Sequence, residues 1–131
     1  MSVVFADTFY LLGLTNPGDN VHARCVRFAR QYRGDFVTTV LLEYPNSASK
    51  PPYRERAAAF LESLSADRRV KIVPLAPTLF DRGRALYRQH GDKEWSLTDC
   101  ISFVTMRDEG IVEAATGDHH FEQAGFSALL K

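Results

Sequence analysis

The sequence predicts an α/β domain of three layers, an α/β/α arrangement in which helices cover both faces of a central, mainly parallel sheet of four or five strands. Three observations carry that prediction. Short β-branched or apolar runs recur along the chain, and the stretches between them have helical periodicity. The chain of 131 residues, 45% of them hydrophobic, suffices for one compact core. Strands alternating with helices of this length pair in parallel through right-handed crossovers. No repeat, low-complexity tract or break of linker length interrupts the pattern, so residues 1–131 read as a single domain.

The elements follow in order. Residues 3–6, Val-Val-Phe-Ala, form a short apolar strand that ends on Asp7. Residues 8–14 continue at once as a helix whose Phe9, Tyr10, Leu11, Leu12 and Leu14 are more apolar than one buried face requires, which points to cover by a second copy of the chain or a partner's helix. Val21, Cys25, Phe28, Ala29 and Tyr32 fall on one helical face, with Asp19 as the expected N-cap. Residues 36–39 are a second strand. Ala57, Phe60, Leu61 and Leu64 mark a further helix, residues 70–73 a third strand, and Leu79, Gly83, Leu86 and Tyr87 the helix after it. Leu97, Cys100, Ile101 and Val104 define another helix, capped by Ser96 or Thr98 and stopped by Gly110. Residues 111–115 are the fourth strand and residues 126–130 a candidate fifth.

Composition excludes several classes. Lys plus Arg and Asp plus Glu total 16 each, so no global basic field drives unspecific nucleic-acid binding, and any such contact is local. The N-terminus lacks a basic segment followed by an apolar stretch, and the longest uncharged run, residues 8–18, falls far short of the ~20 residues that span a bilayer. A cytoplasmic protein without a membrane segment is expected. Cys25 and Cys100 form no Cys-x-x-Cys pair and lie on apolar stripes, so both read as buried, reduced thiols.

The informative feature is where the acids fall. Asp7 ends the first strand, Glu43 lies shortly beyond the second, Asp99 is in the first turn of the helix that begins near Leu97, and Asp118 follows the fourth strand. Ligands of parallel α/β sheets gather at the carboxyl ends of the strands. Four acids brought to that end repel one another unless cations neutralise them, and oxygen-only ligation suits Mg²⁺ or Mn²⁺. Such a centre supports phosphodiester cleavage. An Asp at a helix start also stabilises the helix with no metal, so each acid alone carries a second reading. Pro45 lacks an N–H and clashes with a preceding helical turn, so a helix carrying Glu43 must begin close to it.

Four segments taken together, Val4-Phe5-Ala6-Asp7-Thr8, the stretch from Thr39 to Glu43 with Asn46, the stretch from Trp95 to Phe103, and Thr116-Gly117-Asp118-His119-His120-Phe121 with the Gln123-to-Phe126 tail, resemble PIN-domain nucleases, specifically the VapC-type toxin ribonucleases of toxin-antitoxin pairs. The resemblance covers nearly the whole chain. It implies a Mg²⁺- or Mn²⁺-dependent endoribonuclease with Asp7, Glu43, Asp99 and Asp118 as its acidic quartet, and Thr8, Asn46, Thr98 and Thr116 as polar supports. It further implies an RNA substrate, a cognate antitoxin that offers a basic side chain to the acids, and a homodimer. A PIN nuclease that processes RNA without an antitoxin, and a non-catalytic RNA- or protein-binding module on the same scaffold, are the alternatives. A phosphoacceptor domain of the receiver kind also places acids at strand ends, but no Lys follows a late strand here.

Other residues carry two readings each. Arg24, Arg27 and Arg30, with Arg33, recur along the second helix as a solvated face or as a grip for RNA or an acidic partner. Trp95 is a packing anchor or a base-stacking platform. His119 and His120 read as exposed loop histidines that touch RNA phosphate or a partner, and a zinc site lacks a third ligand at a recognised spacing.

Overall fold

The computed structural model describes residues 2–39, 43–46 and 49–131, with only the backbone of Glu43 and Asn46. The chain runs β1 (Val3–Ala6), α1 (Thr8–Thr15), α2 (His22–Gln31), β2 (Asp35–Thr39), α3 (Glu43–Asn46) and α4 (Tyr53–Ala66). It continues through β3 (Val70–Val73), α5 (Pro77–Gln89), α6 (Leu97–Glu109), β4 (Glu113–Ala115), α7 (His119–Gln123) and β5 (Ser127–Ala128). The strands form one sheet in the order β3-β2-β1-β4-β5, every neighbouring pair parallel. This is the α/β/α architecture expected from the alternation of periods.

Side-chain alternation along each strand supplies both faces of the sheet with core. Val4 and Ala6 of β1 point into one layer and Phe5 into the other, and Phe36 and Val37 of β2 divide in the same way. Behind Phe5, the α6 residues Cys100, Phe103, Val104 and Met106 pack with Leu79 and Leu86 of α5 and Phe121 of α7. Behind Val4, Tyr10 and Leu11 of α1 pack with Cys25 of α2, Tyr44 of α3 and Ala57 of α4. Phe103 is fully buried, edge-on to both Trp95 and Phe121, and truncating such a ring to Ala costs about 3–5 kcal/mol. Both cysteines are free and buried, as their apolar stripes require.

Gly83 explains itself in three dimensions. A Cβ there would lie 2.5 Å from Ile101 Cγ1 and 3.4 Å from the Ile101 backbone, so the glycine is what lets α5 and α6 cross closely. Gly110 ends α6 in the left-handed conformation with φ 68°, as its place after the last helical residue predicts.

Several expectations need correction. Asp19 does not cap α2: the N-cap position is Val21, and the Asp19 carboxylate accepts the Val21 N–H at 3.0 Å, closing a turn two residues early. Tyr87 lies off the buried stripe of α5 and is 52% exposed. The fourth strand starts at Glu113, because the Ile111 N–H is taken by Met106 O in the cap of α6. The histidines after Asp118 stand on a five-residue helix, α7, too short to leave a period in the sequence. The apolar surplus of α1 is largely met inside the chain, since Phe9, Leu12 and Leu14 pack against the second core. Among the described residues, no helix is long and apolar enough to cross a membrane.

Candidate metal and catalytic site

The chain leaves β1 toward β2 and β3 on one side, then returns to the other side of β1 for β4 and β5. The crevice outside the carboxyl ends of β1 and β4 is therefore the topological switch point, where open α/β sheets bind ligands. Asp7 leaves β1 and Thr116 leaves β4 into that crevice.

Thr116 is the hub. Fully buried, it donates its hydroxyl to Asp7 Oδ2 at 2.7 Å and accepts the Asp118 N–H at 3.1 Å, joining the first strand end to the fourth. Asp118 then occupies the N-cap position of α7, where its Oδ1 accepts the His120 N–H at 2.9 Å. Asp7 stands at the start of α1 without capping it; its carboxylate is held by Thr116 and by the Thr8 backbone instead. A Cβ at Gly117 would lie 2.6 Å from the tip of the Phe9 ring, so glycine there leaves room for that ring over the loop between Thr116 and Asp118.

Asp99 arrives from α6. Ser96 and Asp99 form a capping box, the Ser96 hydroxyl accepting the Asp99 N–H at 3.0 Å and Asp99 Oδ2 accepting the Ser96 N–H at 3.0 Å. Asp99 is thus a helix cap and a crevice acid at once. Its support comes from Ser96 rather than Thr98, whose exposed side chain makes no hydrogen bond among the described residues. The His120 ring closes the cluster, with Nδ1 3.2 Å from Asp99 Oδ2 and 3.3 Å from Asp118 Oδ1.

Burial pushes the Asp7 carboxyl up to about 7, and the negative charges of Asp99 and Asp118 push the same way against the lowering influence of the Thr116 and Thr8 hydrogen bonds. Among the described residues no Lys or Arg pairs with Asp7, Asp99 or Asp118, although four carboxylates elsewhere in the chain have one within 3.0 Å. Converging oxygen donors without a basic partner are what a hard divalent cation requires. Among the described residues, the group whose ligand atoms all lie within 4.8 Å of one another is Asp118, His119 and His120; Asp7 and Asp99 stand outside it, and Nδ1 of His120 is directed at Asp99 and Asp118.

The remaining sequence candidates separate. Glu43 opens α3, and Pro45 falls within that first turn, as its missing N–H demands; the side chains of Glu43 and Asn46 lie outside the described residues. Trp95 is no base-stacking platform: it is 6% exposed, packs on Phe103, and donates Nε1–H to Gln123 Oε1 at 3.0 Å. Arg24 donates to Leu130 O at 2.7 Å, fastening the C-terminal segment, while Arg27 and Arg30 remain exposed beside a shallow depression of α2. His119 is exposed. His120, which the sequence offers as an exposed loop contact for RNA or a partner, instead has a side chain only 18% exposed and turned toward Asp99 and Asp118. Its signal was its place two residues after an N-cap Asp, where the backbone N–H is the one that the cap accepts.

A parallel sheet with acids gathered at its switch point defines a class, and the chain belongs to it: residues 4–127 match the PIN domain family, whose members are metal-dependent nucleases. The chain is 26% identical over 125 residues, 95% of each sequence, to the 23S rRNA-specific endonuclease VapC20 of Mycobacterium tuberculosis. It superposes on the crystal structure of that protein, described as a sarcin-ricin loop cleaving toxin, with a TM-score of 0.88 and 25% identity, covering 99% of this chain and 100% of the other. FitAcB of Neisseria gonorrhoeae shares the fold, with a TM-score of 0.64, 18% identity and 95% of each chain covered.

Proposed function

We propose that this protein is a divalent-metal-dependent endoribonuclease, the toxin of a toxin-antitoxin pair, with Asp7, Asp99 and Asp118, completed by Glu43, holding Mg²⁺ or Mn²⁺. The observation that carries the reading is three acids at the ends of β1 and β4 and the start of α6 with no Lys or Arg partner among the described residues, on a chain that aligns along 95% of its length with a named rRNA endonuclease.

When bound, such an ion supplies positive charge against the phosphate oxygens of the scissile bond and acidifies water at the site. The protein's own part is placement. Thr116 fixes the Asp7 carboxylate and, through the Asp118 N–H, sets Asp118 beside it. The capping box holds Asp99 at the start of α6, where the helix dipole favours its negative charge. Burial holds the Asp7 carboxyl well above its ordinary range, so a cation that binds there displaces its proton.

A structured hairpin of large-subunit rRNA is the first substrate to try, given the relative's substrate. The same uncompensated charge suits an antitoxin whose Arg enters the crevice and bonds the carboxylates in place of the ion. Incubating the purified protein with total RNA and with a sarcin-ricin loop oligonucleotide, with Mn²⁺ or with EDTA, and mapping the new ends tests the nuclease. Metal-independent cleavage, or none on any RNA, sinks it. Recovery of the protein alone from its native operon, with no growth arrest on overexpression, removes the toxin reading and leaves the nuclease.

A further inference from the structure

We propose that His120 is a positioning residue: its ring, with Nδ1–H donated to Asp99 at the start of α6 and held against Asp118 before α7, sets the separation of the two carboxylates. The inference rests on the reading that these acids hold a divalent ion.

Among the described residues, every other hydrogen bond to either carboxylate is local. Asp99 Oδ2 accepts from Ser96 within its own capping box, and Asp118 Oδ1 accepts the His120 N–H within its own turn. Neither restrains one acid against the other. The His120 ring does: mostly buried, it hydrogen-bonds Asp99 Oδ2 at 3.2 Å and lies 3.3 Å from Asp118 Oδ1 and 4.4 Å from the ring of His119. The Trp95–Gln123 bond joins the same two elements at the far end of α7, so the short helix is attached to the α6 segment at both ends.

The pattern of acceptors is selective. All the donors reach Asp99 Oδ2 and Asp118 Oδ1, whereas Asp99 Oδ1 and Asp118 Oδ2 accept nothing from the described residues. Those two oxygens are left for a cation, and the ring nitrogen that orients the carboxylates cannot itself be a ligand while it carries the proton. A group that orients ligands in this way typically changes metal affinity by about 10–100-fold when it is removed.

The test compares Mn²⁺ affinity of the purified protein, read from the resonance of free Mn²⁺, with that of three variants. Asn places an amide N–H near the position of Nδ1, Gln near that of Nε2, and Leu supplies neither. His120→Asn is expected to stay within about threefold of wild type, while His120→Gln and His120→Leu weaken binding by about 10–100-fold. Equal weakening of Asn and Leu, or no weakening of any, overturns the proposal. Wild-type protein that fails to bind Mn²⁺ brings down the metal reading beneath it, which is a different result from binding that is indifferent to residue 120. A second measurement needs no variant: long-range proton–nitrogen correlation of the ring should show a proton on Nδ1, and a bare Nδ1 overturns the assignment.

Discussion

At the start of α6, Asp99 faces two further carboxylates and only an imidazole, whereas at the end of the same helix Asp108 and Glu109 each have a base. Arg82 grips Asp108 through two hydrogen bonds of 2.6 and 2.8 Å, and Lys71 reaches Glu109 at 2.6 Å. Acids oppose the dipole at a helix C-terminus, and there they are neutralised by cations of the chain. At the N-terminus the dipole favours an acid, but the neighbours repel it and no cation of the chain has been supplied. Among the described residues, the fold thus pairs the two acids that oppose the dipole of α6 and leaves the one that the dipole favours to face the crevice unpaired by any Lys or Arg.

The largest expected effect comes from neutralising one side of this contrast. Asp7→Asn and Asp99→Asn should each lower RNA cleavage by at least about 100-fold with the fold retained, while Asp108→Asn cleaves at nearly the wild-type rate. Rate measurements that show equal losses at the two ends of α6 would erase the distinction.

The next effect is on stability. Asp7 rises from its ordinary 3.8 to about 7 in the metal-free fold, so the folded state holds this proton more tightly than the unfolded chain. Its contribution is fully present below about pH 4, where both states are protonated, and is lost as pH rises through about 7. Melting curves in EDTA should therefore show Asp7→Asn level with wild type near pH 4 and about 5–10 °C above it at pH 8. Parallel curves across that window would mean that the Asp7 carboxyl is not held in a buried site beside other acids.

Mn²⁺ should reverse the deficit. An ion that binds only the folded protein adds about 2.7 kcal/mol at a hundredfold excess over Kd, a rise of several degrees, larger at pH 8 than at pH 5 because binding displaces the Asp7 proton. Asp99→Asn should respond less. Its own metal-free melting point gains less than that of Asp7→Asn, since Asp99 also completes a capping box. Calorimetry that finds wild type and Asp99→Asn equally responsive would reduce Asp99 to its role as a cap.

Smaller effects come from the supports at the two ends. Ser96→Ala removes one half of the capping box and should cost about 1 kcal/mol, visible as a drop of a few degrees in Tm. Arg82→Ala breaks an exposed pair and should move Tm by about one degree, less in high salt.

The order of elements was legible because apolar alternation and helical spacing report burial directly, and the acids Asp7, Asp99 and Asp118 were legible because strand ends and helix starts follow from that order. The identity of the cap was within reach as well, since Ser96 precedes Asp99 at capping-box spacing. His120 was not legible as a link, because the approach of its ring to Asp99 is set by how α6 and α7 pack, and α7 is shorter than two helical turns. Trp95 was open between two readings for the same reason: its burial depends on Phe103 and Gln123, the latter 28 residues away. Asp19 failed as a cap because an Asx turn inserted two residues between it and the helix.

Trp95 is the one tryptophan in the chain, and it sits four residues before Asp99 with its indole bonded to the residue that ends α7. The protein therefore carries its own optical gauge. Intrinsic emission excited in the tryptophan band reports whether the segments bearing Asp99 and Asp118 are drawn together, with the indole dry against Phe103, or parted, with the indole wet and its emission shifted to the red.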